Sequence, residues 1–213
     1  MKDLFSRCLN ATYTHTTKNG DYAVEVERDT LYLLFEWSRG RLDWFHNLLF
    51  PAKPYKNMSK LWFCHMGFLR VWRAMRDEVE KKVLRELKLH PRVRNIVCIG
   101  YSHGGAISLF ATEDMEYLYG DAYYVKGYGF GAPRVVWGLL PRAVKNRLQS
   151  FKVVRNVPDL VTHVPPVLLG FRHVGEVICI GEKKKYTPIK AHYPSAYEKE
   201  LGRDSEKGSL LCT

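Results

Sequence analysis

Ser102 stands in Gly100-Tyr101-Ser102-His103-Gly104-Gly105, with a glycine two positions away on either side. A serine hydroxyl is a poor nucleophile unless it is exposed, oriented and set beside a base. The G-x-S-x-G spacing meets the first two needs when a strand runs into it and a helix leaves it, because the sharp turn lifts the hydroxyl above the sheet edge. The apolar run at 95–99 and the helix-forming stretch at 106–112 supply that setting. Glycine is needed at the flanks because a Cβ there clashes in the turn or holds helix and strand apart. The helix that follows brings unpaired N–H groups and positive potential to a developing oxyanion. The chemistry this suits is acyl transfer through a covalent serine intermediate.

Such a serine needs a base and an acid, which in a sheet of this kind follow in the order nucleophile, acid, histidine. Asp159 comes directly after the apolar run 151–157, at a strand C-terminus, whereas Asp121 precedes its strand and falls at the opposite edge. Glu176 and Glu182 lie within and just after the strand that His173 opens. Three histidines follow the serine at a useful distance: His163, His173 and His192. His163 shares a loop with Asp159, four residues away, and is awkwardly placed to bridge acid and serine. His173 opens a strand. His192 ends a polar loop ahead of a helix and is the preferred base; on the residues alone all three stay open. The base would take the Ser102 proton while Asp159 fixes its tautomer. For the oxyanion, the backbone N–H of His103 is one donor. Ser38, just after the buried run 31–35, is the second candidate, with a hydroxyl and an N–H; it equally suits a helix cap.

The elements that must hold these groups are legible in the pattern. Residues 22–26 alternate like a half-buried strand, and 31–35 form a continuous apolar run. Phe68, Val71, Trp72, Met75, Val79, Val83 and Leu87 recur at helical spacing over 67–89, which His90-Pro91 ends. Strands are expected at 94–99, 123–130, 151–157 and within 170–180, and helices at 103–119, 141–148 and 195–201. Strand and helix alternate over the second half, the mark of an α/β fold with a mostly parallel central sheet and helices on both faces. Functional groups gather at the strand C-termini of such sheets.

The 213 residues suit one domain, and 46% hydrophobic with 26% charged content is ordinary for a globular chain. Thirty-three Lys and Arg against 22 Asp and Glu leave a net charge of +11. The basic residues are dispersed, apart from Lys183-Lys184-Lys185, and no nucleic-acid motif accompanies them, so no nucleic-acid partner is expected. The excess fits solubility or transient contact with anionic lipid surfaces. No metal-ligand spacing and no cofactor motif appear. No segment is long and apolar enough to span a bilayer. Residues 1–7 carry no apolar signal core, and Cys8, Cys64, Cys98, Cys179 and Cys212 are scattered, with Cys98 and Cys179 in apolar runs like small core residues. A reducing compartment and a cytoplasmic location are therefore expected.

An ordered series of segments resembles the class 3 lipases, also called fungal-type triacylglycerol lipases. It comprises Phe35-Glu36-Trp37-Ser38 followed by Asp43-Trp44, Cys64-His65-Met66-Gly67-Phe68, the elbow at 100–106, and Gly129-Phe130-Gly131-Ala132-Pro133-Arg134. It continues through Val157-Pro158-Asp159 to Val164-Pro165-Pro166, Phe171-Arg172-His173-Val174-Gly175 and His192-Tyr193. The resemblance runs from about residue 30 to 196. It implies an α/β-hydrolase three-layer sandwich with nucleophile, acid and base on Ser102, Asp159 and His192, leaves His173 non-catalytic, and matches the oxyanion hydroxyl to Ser38. It implies a lid at 40–55, with Leu42, Phe45, Leu48, Leu49 and Phe50 as an apolar underside. It also implies lipid ester substrates, with a phospholipase A, a short-chain esterase and a silent lipid-binding homologue as alternatives. Two departures stand out: Glu36-Trp37 replaces the usual Arg-Gly pair, which puts the oxyanion loop in question, and His103 replaces the commoner apolar residue.

Overall fold

The computed structural model describes residues 1–17, 20–36, 51–57, 60–182, 187–207 and 210–211. The elements in chain order are α1 (Lys2–Asn10), β1 (Thr14–Thr17), β2 (Gly20–Glu27), β3 (Thr30–Phe35), β4 (Ala52–Asn57), β5 (Lys60–His65) and α2 (Met66–Leu89). They continue with β6 (Asn95–Tyr101), α3 (His103–Tyr119), β7 (Tyr124–Phe130), β8 (Val136–Trp137), α4 (Arg142–Arg147), β9 (Phe151–Asn156), β10 (Phe171–Arg172), β11 (Glu176–Ile180), α5 (Pro194–Lys207) and β12 (Leu210–Leu211).

The main sheet runs β1-β2-β3-β6-β7-β9-β11-β12. Its five middle strands are parallel, and β1, β2 and β12 pair antiparallel at the margins. The continuous apolar runs of β3 and β6 follow from burial on both faces. Leu31, Leu33 and Phe35, with Ile96 and Cys98, enter one core with α2 and α3. Leu34, with Val97, Ile99 and Tyr101, enters a second core with Phe5 and Cys8 of α1 and Tyr197 and Leu201 of α5. Helices therefore cover both faces, giving the expected α/β-hydrolase sandwich.

Helix α2 buries every apolar position of its stripe, from Phe68 to Leu87. Helix α3 is buried from Gly104 to Met115, where it packs on β3, β6 and β7 and against α2. Its two buried acids are neutralised in place: Arg147 Nε lies 2.7 Å from Glu113, Arg76 Nε lies 2.7 Å from Asp114, and Asn57 donates to both.

A second sheet of four strands, β10-β8-β5-β4, packs Tyr55 and Trp62 onto Phe110 of α3. Of the lid expected at 40–55, residues 40–50 lie outside the described residues, as does Ser38. Its last part, Ala52 to Tyr55, lies in β4, with Tyr55 buried.

Candidate active site

Strand β6 delivers Ser102 at its C-terminus, and the chain reverses there with φ 55° and ψ −119° before α3 begins. A non-glycine residue at this φ is strained and persists only where its surroundings fix it. The Ser102 N–H donates to the Phe130 carbonyl (2.8 Å), tying the turn to the end of β7. Glycine is required on both sides. A Cβ on Gly100 would stand 2.6 Å from the Gly105 nitrogen, and one on Gly104 would stand 2.7 Å from the Glu36 carbonyl oxygen. Both obstacles are backbone. Gly104→Ala is expected to lower folding stability by about 3 kcal/mol. Urea denaturation measures this; an unchanged midpoint would show that the helix can shift away from β3 freely.

The acid and the base arrive from separate elements. Strand β9 ends at Asn156, and Asp159 caps the 3-10 turn Leu160–His163 that follows. His192 closes another short 3-10 turn just ahead of α5. His192 Nε2 lies 2.8 Å from Ser102 Oγ, and His192 Nδ1 lies 2.8 Å from Asp159 Oδ2. The carboxylate is fully buried and fully used. Oδ1 accepts the Val161 N–H at 2.8 Å, and Oδ2 also accepts the Tyr197 hydroxyl at 2.6 Å. As a hydrogen-bond acceptor at Nδ1, the carboxylate turns the imidazole so that Nδ1 carries the proton. Nε2 is then the acceptor facing the serine hydroxyl.

Three residues that the sequence did not single out position this site. The Tyr101 ring lies under His192, with centroids 5.2 Å apart, and its hydroxyl donates to the His192 carbonyl. Tyr197 bridges the Asn156 N–H (3.0 Å) to Asp159. Asn156 Nδ2 donates to the Ala191 carbonyl at 2.9 Å, clamping the turn that carries His192. Burial, with the Asp159 charge nearby, pushes both phenols well above their ordinary value of 10, so both remain donors. Phe5 of α1 packs against Tyr101, Phe130 and Tyr197 from below.

The other two histidines are engaged elsewhere. His163 Nε2 lies 2.7 Å from Arg155, and His173 Nε2 lies 2.8 Å from the Thr162 carbonyl oxygen. His103 places its N–H in the first turn of α3, where helix donors lack an intrahelical acceptor. Its ring packs on Phe68, centroids 5.5 Å apart.

Burial pushes the His103 and His173 rings down to about 4, with neighbouring positive charge adding to the effect. The unfolded chain binds protons on both below about pH 6.5, while the folded protein does so only near 4. Their contribution to stability is thus complete above 6.5 and lost as pH falls toward 4. Burial also pushes Asp114 up to about 7, a trend of opposite sign over the same range. The test is therefore a difference. His173→Gln, which keeps a donor for Thr162, is expected to lose urea resistance less steeply than wild type between pH 6.5 and 4; parallel curves would remove His173 from the proton linkage.

Residues 32–169 match the family Lipase (class 3). The lipase of Rhizomucor miehei is 28% identical over 162 residues, 74% of this chain and 44% of that protein. A secreted mono- and diacylglycerol lipase of Fusarium solani is 29% identical over 109 residues, 51% of this chain and 32% of that protein. This chain thus spans less than half the length of either relative. Among solved structures, a triacylglycerol lipase whose catalytic centre is formed by a serine protease triad superposes with a TM-score of 0.69 at 25% identity, over 80% of this chain and 66% of that one. These findings correct the expected cytoplasmic location: relatives named as secreted point outside the cell. Cys179 is disulfide-bonded rather than a plain core thiol.

Proposed function

Because the chain belongs to the class 3 lipase family, we propose that it hydrolyses carboxylic esters of lipids, acylglycerols first, outside the cell. The observation that carries this reading is the unbroken relay from Asp159 through His192 to Ser102, each link 2.8 Å long. His192 Nε2 takes the Ser102 proton as Oγ attacks the ester carbonyl. The tetrahedral oxyanion meets the His103 N–H, with Ser38 proposed as the second donor. His192 then hands its proton to the departing alcohol as the carbonyl reforms, leaving the acyl group on Ser102. Water, deprotonated by the same imidazole, attacks this acyl-enzyme, and the fatty acid leaves with Ser102 restored.

Lipid preference is supported by the apolar surface beside the relay. Leu160, next to the acid, is 42% exposed, and Ile189 and Tyr193, flanking the base, are 45% and 50% exposed. Exposed apolar groups clustered at a site mark a surface that meets something apolar. The net charge of +11 favours a transient encounter with anionic lipid surfaces.

The test is hydrolysis of p-nitrophenyl esters from acetate to palmitate, together with labelling by a fluorophosphonate. Turnover that rises with chain length and jumps beyond the solubility limit is expected. Saturation on soluble short esters alone would make the protein a short-chain esterase. Absence of both turnover and label would sink the hydrolase reading.

A further inference from the structure

Away from the relay, a cavity of 530 Å³ opens between α4 and the connection from β10 to β11. Its volume falls within the range of roughly 300–1,000 Å³ typical of small-molecule sites. Leu139, Leu140, Leu148 and Val174 give it an aliphatic wall, and Lys145 and Arg172 stand at it with exposed side chains. No carboxylate and no aromatic ring other than His173 stands among its described lining residues. Neither cation is ion-paired to a described residue. Ser102, Asp159 and His192 do not line it.

The ligand this lining suits has one anionic head and an unbranched aliphatic tail. Two cations without a counter-charge among the described residues select an anion, and an aliphatic wall without stacking platforms disfavours a flat ring. We infer that this cavity binds a long-chain fatty acid, its carboxylate between Lys145 and Arg172 and its chain along Leu140, Leu148 and Val174. A phospholipid head group offers the same anionic chemistry, but its second chain and glycerol backbone exceed what one cavity of this size encloses. The inference rests on the cavity alone and holds whether or not Ser102 cleaves esters.

Equilibrium dialysis of radiolabelled palmitate, below its micellar concentration, tests it on the full chain with Ser102 free and with Ser102 capped by a fluorophosphonate. One palmitate is expected to stay bound to the capped protein, and hexadecanol to bind more weakly. The double variant Lys145→Gln/Arg172→Gln alters only exposed side chains and is expected to weaken palmitate about tenfold or more, the size of a lost charged hydrogen bond, while sparing hexadecanol. Val174→Trp, checked for folding by circular dichroism, should abolish the same binding. Unchanged palmitate affinity in the double variant overturns the inference. So does loss of all binding on capping, which would place the acid at Ser102. Loss of retention on phosphatidylglycerol vesicles without any change for dissolved palmitate would assign the cations to a membrane surface instead.

Discussion

Ser102→Ala is expected to lower ester turnover on the order of 10⁵-fold or more while leaving the fold intact, because no other described group can form the acyl intermediate at that turn. His192 and Asp159 would remain paired but without a nucleophile to activate. The companion variant Ser102→Gly separates chemistry from strain. Ser102 holds φ 55°, a conformation that costs a side-chain-bearing residue about 1–3 kcal/mol. Glycine takes it freely and gives back about 0.5–1 kcal/mol in chain entropy. Ser102→Gly should therefore be as inactive as Ser102→Ala yet more stable than wild type, by about 1 kcal/mol in urea denaturation. Residual activity in either variant above about 10⁻³ of wild type would assign the nucleophile to another residue.

The second large effect is expected from Asp159→Asn. The carboxylate accepts three hydrogen bonds, from Val161, His192 and Tyr197. An amide can accept on its oxygen only. With that oxygen on the Val161 N–H, its NH2 group faces the Nδ1–H of His192 and the Tyr197 hydroxyl, donor against donor. The imidazole relieves the conflict by moving its proton to Nε2, where it can no longer accept from Ser102. A fall in kcat of about 10⁴-fold is expected, from the wrong tautomer rather than from lost binding. KM should change little. A drop in kcat below about tenfold would show that the Tyr101 stacking and the Asn156 clamp orient His192 without the acid.

Much of this architecture was readable because its elements are long and periodic. The stripe from Phe68 to Leu87 could only be an amphipathic helix, and all seven of its positions are buried. The runs at 31–35 and 95–99 are apolar on both faces because cores lie on both faces. What escaped was local and weakly patterned. Strand β4 carries Lys53, Pro54 and Lys56, and Pro54 reads as a stop. It is tolerated because β4 is the edge strand of the small sheet, where a missing N–H disrupts no interior ladder. Helix α1 is short and mostly polar, and only Phe5 and Cys8 bury a face.

At the site, motif and order pointed to Ser102, Asp159 and His192, and the structure brings the three together. Tyr101, Asn156 and Tyr197 could not be found that way. Each acts through a backbone group or a carboxylate far along the chain, and no spacing rule encodes a partner 35 to 91 residues away.

The hydrogen bond between Ser102 and His192 joins residues 90 positions apart. A ribosome adding about 5–20 residues per second takes roughly 5–20 s to cover that distance. Throughout that interval the emerging polypeptide holds the serine and no base, and Tyr197, which pins the acid, is made later still. The protein is thus born inert. Biosynthesis itself acts as a timer, keeping the serine without its base until residue 192 has been made.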